Sequence, residues 1–266
     1  MPDSQKHDTS AWYDDSAEVR IARQMGLAPL PAELRLSVVV PVYNEEATVE
    51  EVIHRIRQHA CNIQIVAVDD ASTDGTSEVL ARLAEQADGG NLTVIRHERN
   101  RGKGGALRTG FGHVTGEVVL IQDADLEYDP AEYPRLVWPI LEGKADVVYG
   151  SRFSTTAPHR VLYYWHSVAN RTLTMLSNLT TDLNLTDMET CYKVFRREVI
   201  DAILPTLKEN AFGIEPELTA KIARRAYRVY EVGIGYSGRT YAAGKKIGLK
   251  DALRAVWCIL RYWRCD

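Results

Sequence analysis

The sequence predicts an α/β fold, a mostly parallel sheet with helices on both faces. Three observations predict it. Between Leu36 and Ser151, short β-branched runs recur that are apolar almost throughout, whereas a strand with one wet face would alternate. Amphipathic segments of helical spacing separate these runs. Polar clusters close the runs at ordinary βα spacing. With 266 residues, 45% of them apolar, the chain is long enough for one sizeable core in one domain.

The elements follow in order. Residues 1–35 are polar, then loosely helical, and end in the punctuation of Pro29 and Pro31, so they read as an N-terminal extension. LSVVVPV (Leu36 to Val42) is the first strand, followed by a helix through Ile53 and Ile56. IQIVAVDD (Ile63 to Asp70) is the second strand, with a helix from Asp74. NLTVIRH (Asn91 to His97) precedes a helix after Gly105, and EVVLIQD (Glu117 to Asp123) precedes one from Pro130. DVVYGS (Asp146 to Ser151) ends the regular alternation. Then come a polar loop with Pro158, a helix from about Val161 to Leu179, and a strand at CYKVF (Cys191 to Phe195). Helices around Glu198 and Glu217, a strand at RVYEVGIGY (Arg228 to Tyr236), a Gly/Lys loop and a helix from about Leu249 complete the pattern.

The bulk properties exclude some functions. A net charge of -4 argues against nucleic acid as a partner. The four cysteines, Cys61, Cys191, Cys258 and Cys265, form no C-x-x-C pair and read as reduced thiols rather than disulfides or a zinc cluster. No apolar run is long enough to span a bilayer, and MPDSQKHDTS lacks the features of a signal peptide. The expectation is a cytoplasmic protein, compatible with peripheral contact at a membrane.

Open α/β sheets bind ligands at the carboxyl ends of their strands. Three polar clusters fall there: PVYNEE (Pro41 to Glu46), VDDASTDGT (Val68 to Thr76) and QDADLEYDP (Gln122 to Pro130). In the last, Asp123, Asp125 and Glu127 recur at every second position, a set of oxygen donors suited to Mg2+ or Mn2+ shared with substrate phosphate. The competing reading is an acidic turn. Asp69 and Asp70 form a second pair, suited to the hydroxyls and base of a nucleotide; a helix cap at Ser72 or Asp74 accounts for one acid but not for the pair. NRGKGGALRTG (Asn100 to Gly110) is either a tight helix-start turn or a backbone cradle with Lys103 toward a diphosphate. It fits neither the Walker loop nor the dinucleotide fingerprint.

Together, VVVPVYNEE, VDDASTDGT, NRGKGGAL, QDADLEYDP and VVYGSRF, in that order, resemble the family-2 glycosyltransferases of GT-A fold, and most of all the dolichyl- or polyprenyl-phosphate sugar synthases. The resemblance covers about Leu36 to Ile247. It implies a domain over 36–266, with a nucleotide-sugar-binding half at 36–151 and an acceptor-side half at 152–266. It also implies that Pro41, Tyr43, Glu45 and Asp70, assisted by Asp69, hold the nucleoside, with Lys103 near the donor. Asp123, Asp125 and Glu127 match the motif for metal (Mg2+ or Mn2+) and diphosphate, although many lipid-phosphate synthases carry Gln where this chain has Glu127. Arg152 matches an arginine near the acceptor phosphate, Arg239 and Lys245 a basic loop over the phosphates, and Arg160 is a looser match. Thr186 to Arg197 resembles an acceptor-side motif containing Asp187, with Cys191 where glycine is common.

The implied reaction is metal-assisted inverting transfer of a hexose from a UDP- or GDP-linked donor to a lipid phosphate, which needs no strong base. With a hydroxyl acceptor, a soluble glycan or secondary metabolite, a base is required and Asp187 and Glu189 are the candidates. A third reading is a sugar-nucleotide binding protein without turnover, against which the acidic triplet argues. In the last helix Leu249, Leu253, Val256, Trp257, Leu260 and Trp263 form an apolar stripe among Lys250, Arg254, Arg261 and Arg264. The stripe suits either packing on the core or a membrane interface, where VLYYWHSVANRTLTML (Val161 to Leu176) would add apolar surface.

Overall fold

The computed structural model describes residues 16–59, 61–87, 90–154, 160–161, 163–238 and 249–264. Its centre is β1 (Arg35–Val42), whose residues from Leu36 onward are buried except for the partly exposed Pro41. Such a strand must have neighbours on both edges and cover on both faces. Parallel β2 (Asn62–Asp69) and β4 (Val118–Ile121) supply the edges. The seven-stranded sheet has the order β3-β2-β1-β4-β6-β5-β7, with β3 (Leu92–Arg96), β5 (Val147–Ser151), β6 (Lys193–Arg196) and β7 (Val229–Gly233). Only β6 among the described strands runs against the rest. The chain winds outward from β1 to β3 and then crosses to β4 on the other side, so the strand order reverses between β1 and β4, where open α/β sheets form their crevice.

Helices α2 (Val49–Arg57), α3 (Thr76–Glu85), α4 (Lys103–Phe111) and α5 (Tyr133–Leu141) connect these strands, close to the expected positions. The helix expected from Pro130 begins as a 3-10 turn, Pro130–Glu132, where Asp129 Oδ1 accepts the Ala131 amide at 3.0 Å. Close contact between α4 and the sheet depends on Gly110: a Cβ there would lie 2.3 Å from Val39 Cγ1. Ahead of the sheet, α1 (Ala17–Gln24) rests on α5, with the Arg23 guanidinium 4.1 Å from the Trp138 ring. Leu30 and Leu34 lie in the main core, and Cys61, Cys191 and Cys258 are free and buried.

The second half adds α6 (Tyr164–Thr181), α7 (Arg197–Ile203), α8 (Ile214–Arg224) and α9 (Leu249–Arg264). Helix α9 packs on α6 and α8 through Ala255, Cys258, Ile259 and Tyr262. This is not the stripe read from the sequence. Leu253 (64% exposed), Trp257, Leu260 and Trp263 face outward, and α6 likewise leaves Trp165 (76%), Tyr164, Met175 and Leu179 in solvent. No helix among the described residues is long and apolar enough to cross a membrane.

Candidate functional site

The carboxyl ends of β1, β2 and β4 open on one cavity of about 590 Å3. Pro41, Tyr43 and Glu45 line it from the end of β1, Asp70 from β2, and Lys103 from the start of α4. Asp123, Asp125 and Glu127 line it after β4, and Arg152 after β5. Nine residues singled out from separate motifs thus share one space. Its far end is bounded by Asn170 and Leu173 of α6, Phe212 before α8, and Ala252 and Ala255 of α9.

The loops at this edge are strained and cross-tied. Asn44 (φ 54), Ala71 (φ 60) and Leu126 (φ 58) are left-handed non-glycine residues, each just beyond β1, β2 or β4. The first two loops hold one another: Asn44 Oδ1 accepts the Thr73 amide at 2.8 Å, Glu46 Oε2 accepts the Gly75 amide at 3.0 Å, and the Glu45 amide donates to Thr76 Oγ1 at 2.9 Å.

The two adjacent aspartates divide their work. Asp69 is turned away from the cavity lining. Its carboxylate accepts the Ser72 amide at 2.9 Å and the Ser77 hydroxyl at 2.5 Å, which ties β2 to the start of α3. The expectation that it assists at a nucleoside is not met in this geometry, because successive residues of an extended strand point to opposite sides. Asp70 reaches the cavity and organises the glycine-rich segment. Its oxygens accept the Arg101 amide at 2.8 Å and the Gly102 amide at 2.7 Å, and Oδ1 lies 2.6 Å from His97 Nδ1. Gly102 (φ +82) is required there, since a Cβ would sit 2.5 Å from the Asn210 carbonyl oxygen.

The acidic triplet does not converge. Among the described residues no group of three or more His, Cys, Asp or Glu is placed to hold a metal ion. Alternate residues share a side only on an extended chain. Here the strand ends at Ile121, and by Leu126 the backbone is left-handed. Asp123 pairs with Lys103 (Nζ–Oδ1 2.9 Å), Asp125 Oδ1 accepts the Glu127 amide at 3.2 Å, and Glu127 Oε2 accepts the Tyr236 hydroxyl at 2.6 Å. Burial alone would lower the Lys103 ammonium; Asp123 and Glu215 outweigh it and hold it well above its ordinary value.

On the other wall, Asp187 is fully buried and holds Arg152. Asp187 Oδ2 accepts Arg152 Nε at 2.7 Å, Oδ1 accepts Nη2 at 2.7 Å, and the Arg152 amide and Asn170 Nδ2 add bonds at 3.0 and 3.1 Å. Burial would raise the Asp187 carboxyl, but Arg152 outweighs it and holds the group below the ordinary carboxylate range. A saturated, buried carboxylate is a poor proton acceptor, so as a base Asp187 gives way to Glu189. Glu189 lines the cavity, and its Oε1 is buried with no hydrogen-bond partner. Burial, with Glu215 nearby, pushes its carboxyl up to about 7.

At the cavity wall lies a pair the sequence reading missed, with Glu215 lining the space and Lys193 behind it. Lys193, fully buried on β6, bonds Glu215 at the start of α8, and Glu215 Oε1 also lies 3.2 Å from Lys103. The one available signal was a lone lysine inside the apolar strand CYKVF. Arg160 donates to the Gly238 carbonyl at 3.0 Å. Arg239 and Lys245 lie outside the described residues.

A family model described as Glycosyl transferase family 2 matches residues 37–204, which span every motif above except the basic loop. The fold is similar to solved structures of glucosyl-3-phosphoglycerate synthase from Mycobacterium tuberculosis. Its complex with Mn2+, UDP and glucosyl-3-phosphoglycerate matches at TM-score 0.66 and 21% identity, over 92% of this chain and 84% of that one. Its complex with Mn2+ and UDP-glucose matches at TM-score 0.67 and 20% identity, over 92% and 83%. At this identity the likeness shows the fold, which is of GT-A type.

Proposed function

The chain belongs to glycosyl transferase family 2, and from that premise we propose that it moves a hexose from a nucleoside-diphosphate sugar to a lipid phosphate held at a membrane surface. The observation that carries the acceptor reading is the make-up of the cavity's far end. The helices that bound it, α6 and α9, are the ones that leave Trp165, Tyr164, Leu253, Trp257, Leu260 and Trp263 in solvent. Exposed Arg254 and Arg261 flank the α9 set, with the Arg261 guanidinium 4.8 Å from the Trp257 ring. Tryptophan and leucine beside arginine make up the surface of a helix lying among anionic headgroups, the depth at which a lipid phosphate resides.

In this reading the nucleoside lies against Pro41, Tyr43 and Asp70, and the diphosphate against the α4 N-terminus and Lys103. The cavity's carboxylates are hard oxygen donors that fit Mg2+ or Mn2+, with Asp125 and Asp123 the residues to hold it. Two carboxylates among the described residues would leave positions on such a cation for substrate phosphate oxygens and water. When bound, such a cation supplies positive charge against the departing diphosphate. Arg152, fixed by Asp187, orients the acceptor phosphate. An acceptor oxygen attacks the anomeric carbon opposite the diphosphate; the new C–O bond forms as the old one breaks, and the nucleoside diphosphate leaves with the electron pair. A phosphate anion brings no proton that must be removed, so no strong base is needed.

A second reading is favoured by the solved relatives, since glucosyl-3-phosphoglycerate synthase is described in complex with phosphoglyceric acid. The acceptor would then be a small water-soluble phosphate ester whose hydroxyl attacks, and Glu189 is the candidate to take its proton. The test is a transfer assay with UDP- and GDP-hexoses, offering polyprenyl phosphate in anionic vesicles or 3-phosphoglycerate in solution, alongside vesicle flotation. The expected result is lipid-linked product and salt-sensitive flotation weakened by Trp257→Ala with Trp263→Ala. Transfer to 3-phosphoglycerate alone, without flotation, would replace the first reading by the second.

A further inference from the structure

Glu189 is an acid in this cavity that the transfer reaction, as read above, does not use. Each acidic neighbour has a cation: Lys193 serves Glu215, Arg152 serves Asp187, and Lys103 serves Asp123. Among the described residues no cation pairs with Glu189, and its buried Oε1 has no hydrogen-bond partner although the residue lines the cavity. A carboxylate there would face the acceptor phosphate as a second anion. A neutral carboxyl would instead supply an O–H donor at the same point.

We propose that Glu189 binds the acceptor in its protonated form, donating a hydrogen bond to a phosphate oxygen that Arg152 holds from the other side. This rests on the reading that the acceptor's own phosphate oxygen attacks, as in a lipid phosphate. The surroundings favour the neutral form. Burial is the largest influence and Glu215 from α8 the next, both raising the carboxyl to about 7, with Asp187 adding to them. Lys193 from β6 and Arg152 after β5 act the other way, but each is committed to a carboxylate of its own. Lys103 and Asp123 from the donor side and His166 from α6 also line the cavity. An incoming phosphate adds negative charge beside Glu189 and favours its proton further. Binding therefore couples to proton uptake: above the carboxyl's midpoint each pH unit costs the complex about one decade of affinity.

The experiment is acceptor KM and kcat against pH, from about 5.5 to 8.5, for the wild type, Glu189→Gln and Glu189→Ala at saturating donor. Both phosphate acceptors named above are tried. The wild-type KM should be level below about 7 and rise roughly tenfold per unit above it. Glu189→Gln, which keeps an N–H donor and cannot ionise, should flatten the rise; Glu189→Ala should weaken acceptor binding below about pH 7 and show no rise above it. Infrared difference spectra of the wild type at pH 8 give a readout independent of variants: acceptor binding should produce the carbonyl stretch of a protonated carboxyl. Loss of kcat by a hundredfold or more in Glu189→Gln at unchanged KM would overturn the proposal, because it marks a proton acceptor for a hydroxyl. So would a KM rise that survives in Glu189→Gln, or no carboxyl signal. If the wild type does not transfer to polyprenyl phosphate, the acceptor reading itself fails, and that is seen before any variant is made.

Discussion

Replacing Asp187 by Asn tests whether this residue positions Arg152. The two side chains form a two-point ion pair at 2.7 and 2.7 Å, with Asp187 fully buried and Arg152 14% exposed. Asn removes the charge and turns an amide donor toward guanidinium donors. Leaving one member of a buried pair uncompensated costs about 3–5 kcal/mol. Arg152 opens on the cavity and water reaches it there, so the lower end, about 3 kcal/mol, applies. For a chain of this size that lowers Tm by roughly 6–12 °C. Urea denaturation and calorimetry measure the loss, and acceptor KM should rise with it because Arg152 is no longer held. Arg152→Met combined with Asp187→Asn should recover part of the stability but not the acceptor affinity, since the stranded charge is gone along with the phosphate contact. The pH dependence carries a sign. The Asp187 carboxyl is lowered by folding, so its contribution is fully present above the unfolded carboxylate value and fades as pH falls through the lower folded value. A loss below about 1 kcal/mol, or one unchanged between pH 7 and strong acid, would refute the reasoning.

Two further outcomes are expected at the donor end. Asp70→Asn leaves one carbonyl oxygen where two carboxylate oxygens accept the Arg101 and Gly102 amides, so calorimetry should show nucleoside-diphosphate affinity reduced about tenfold, the scale of one charged hydrogen bond; unchanged affinity would separate the glycine-rich segment from donor binding. Chelation should abolish transfer and Mn2+ or Mg2+ restore it, with Asp125→Ala at least about a hundredfold slower at saturating metal, and full activity in chelator would remove the metal from the reaction.

The strands were legible because the core writes itself into sequence as apolar runs: β1, β2 and β5 are buried nearly end to end, and each appears as a stretch apolar almost throughout. The crevice was legible for a related reason, since strand ends in such a sheet must carry the polar ligands' partners. What stayed hidden depended on backbone direction or on distant pairing. The reversal of β6 leaves no mark in its pattern, because a strand buried on both faces reads alike either way. The spacing of Asp123, Asp125 and Glu127 suggested one shared side, but that inference holds only for extended backbone, and the chain turns at Leu126. Lys193 and Glu215 are 22 positions apart, and only the tertiary fold, which brings the start of α8 to β6, makes them a pair.

Helix α9 shows where periodicity misleads, and why the error bears on function. Its longest apolar side chains recur at helical spacing, and such a stripe ordinarily turns inward. Here Ala255, Cys258, Ile259 and Tyr262 pack against α6 and α8, while Leu253, Trp257, Leu260 and Trp263 remain outside. The helix therefore has two apolar faces, and the core accounts for only one. Arg254 shows the same duality: it reaches Glu209 at 2.8 Å while 49% exposed, so it ties the helix to the segment before α8 from a half-exposed position. Glu209 in turn precedes Asn210, whose carbonyl accepts the Gly105 amide of the donor segment at 3.0 Å. A helix that folding alone required would gain by exchanging its outer tryptophans for polar residues. One that must rest among headgroups, with its inner face closing the acceptor end of the cavity, has use for both faces, and it is on this ground that a lipid phosphate stands ahead of a soluble one.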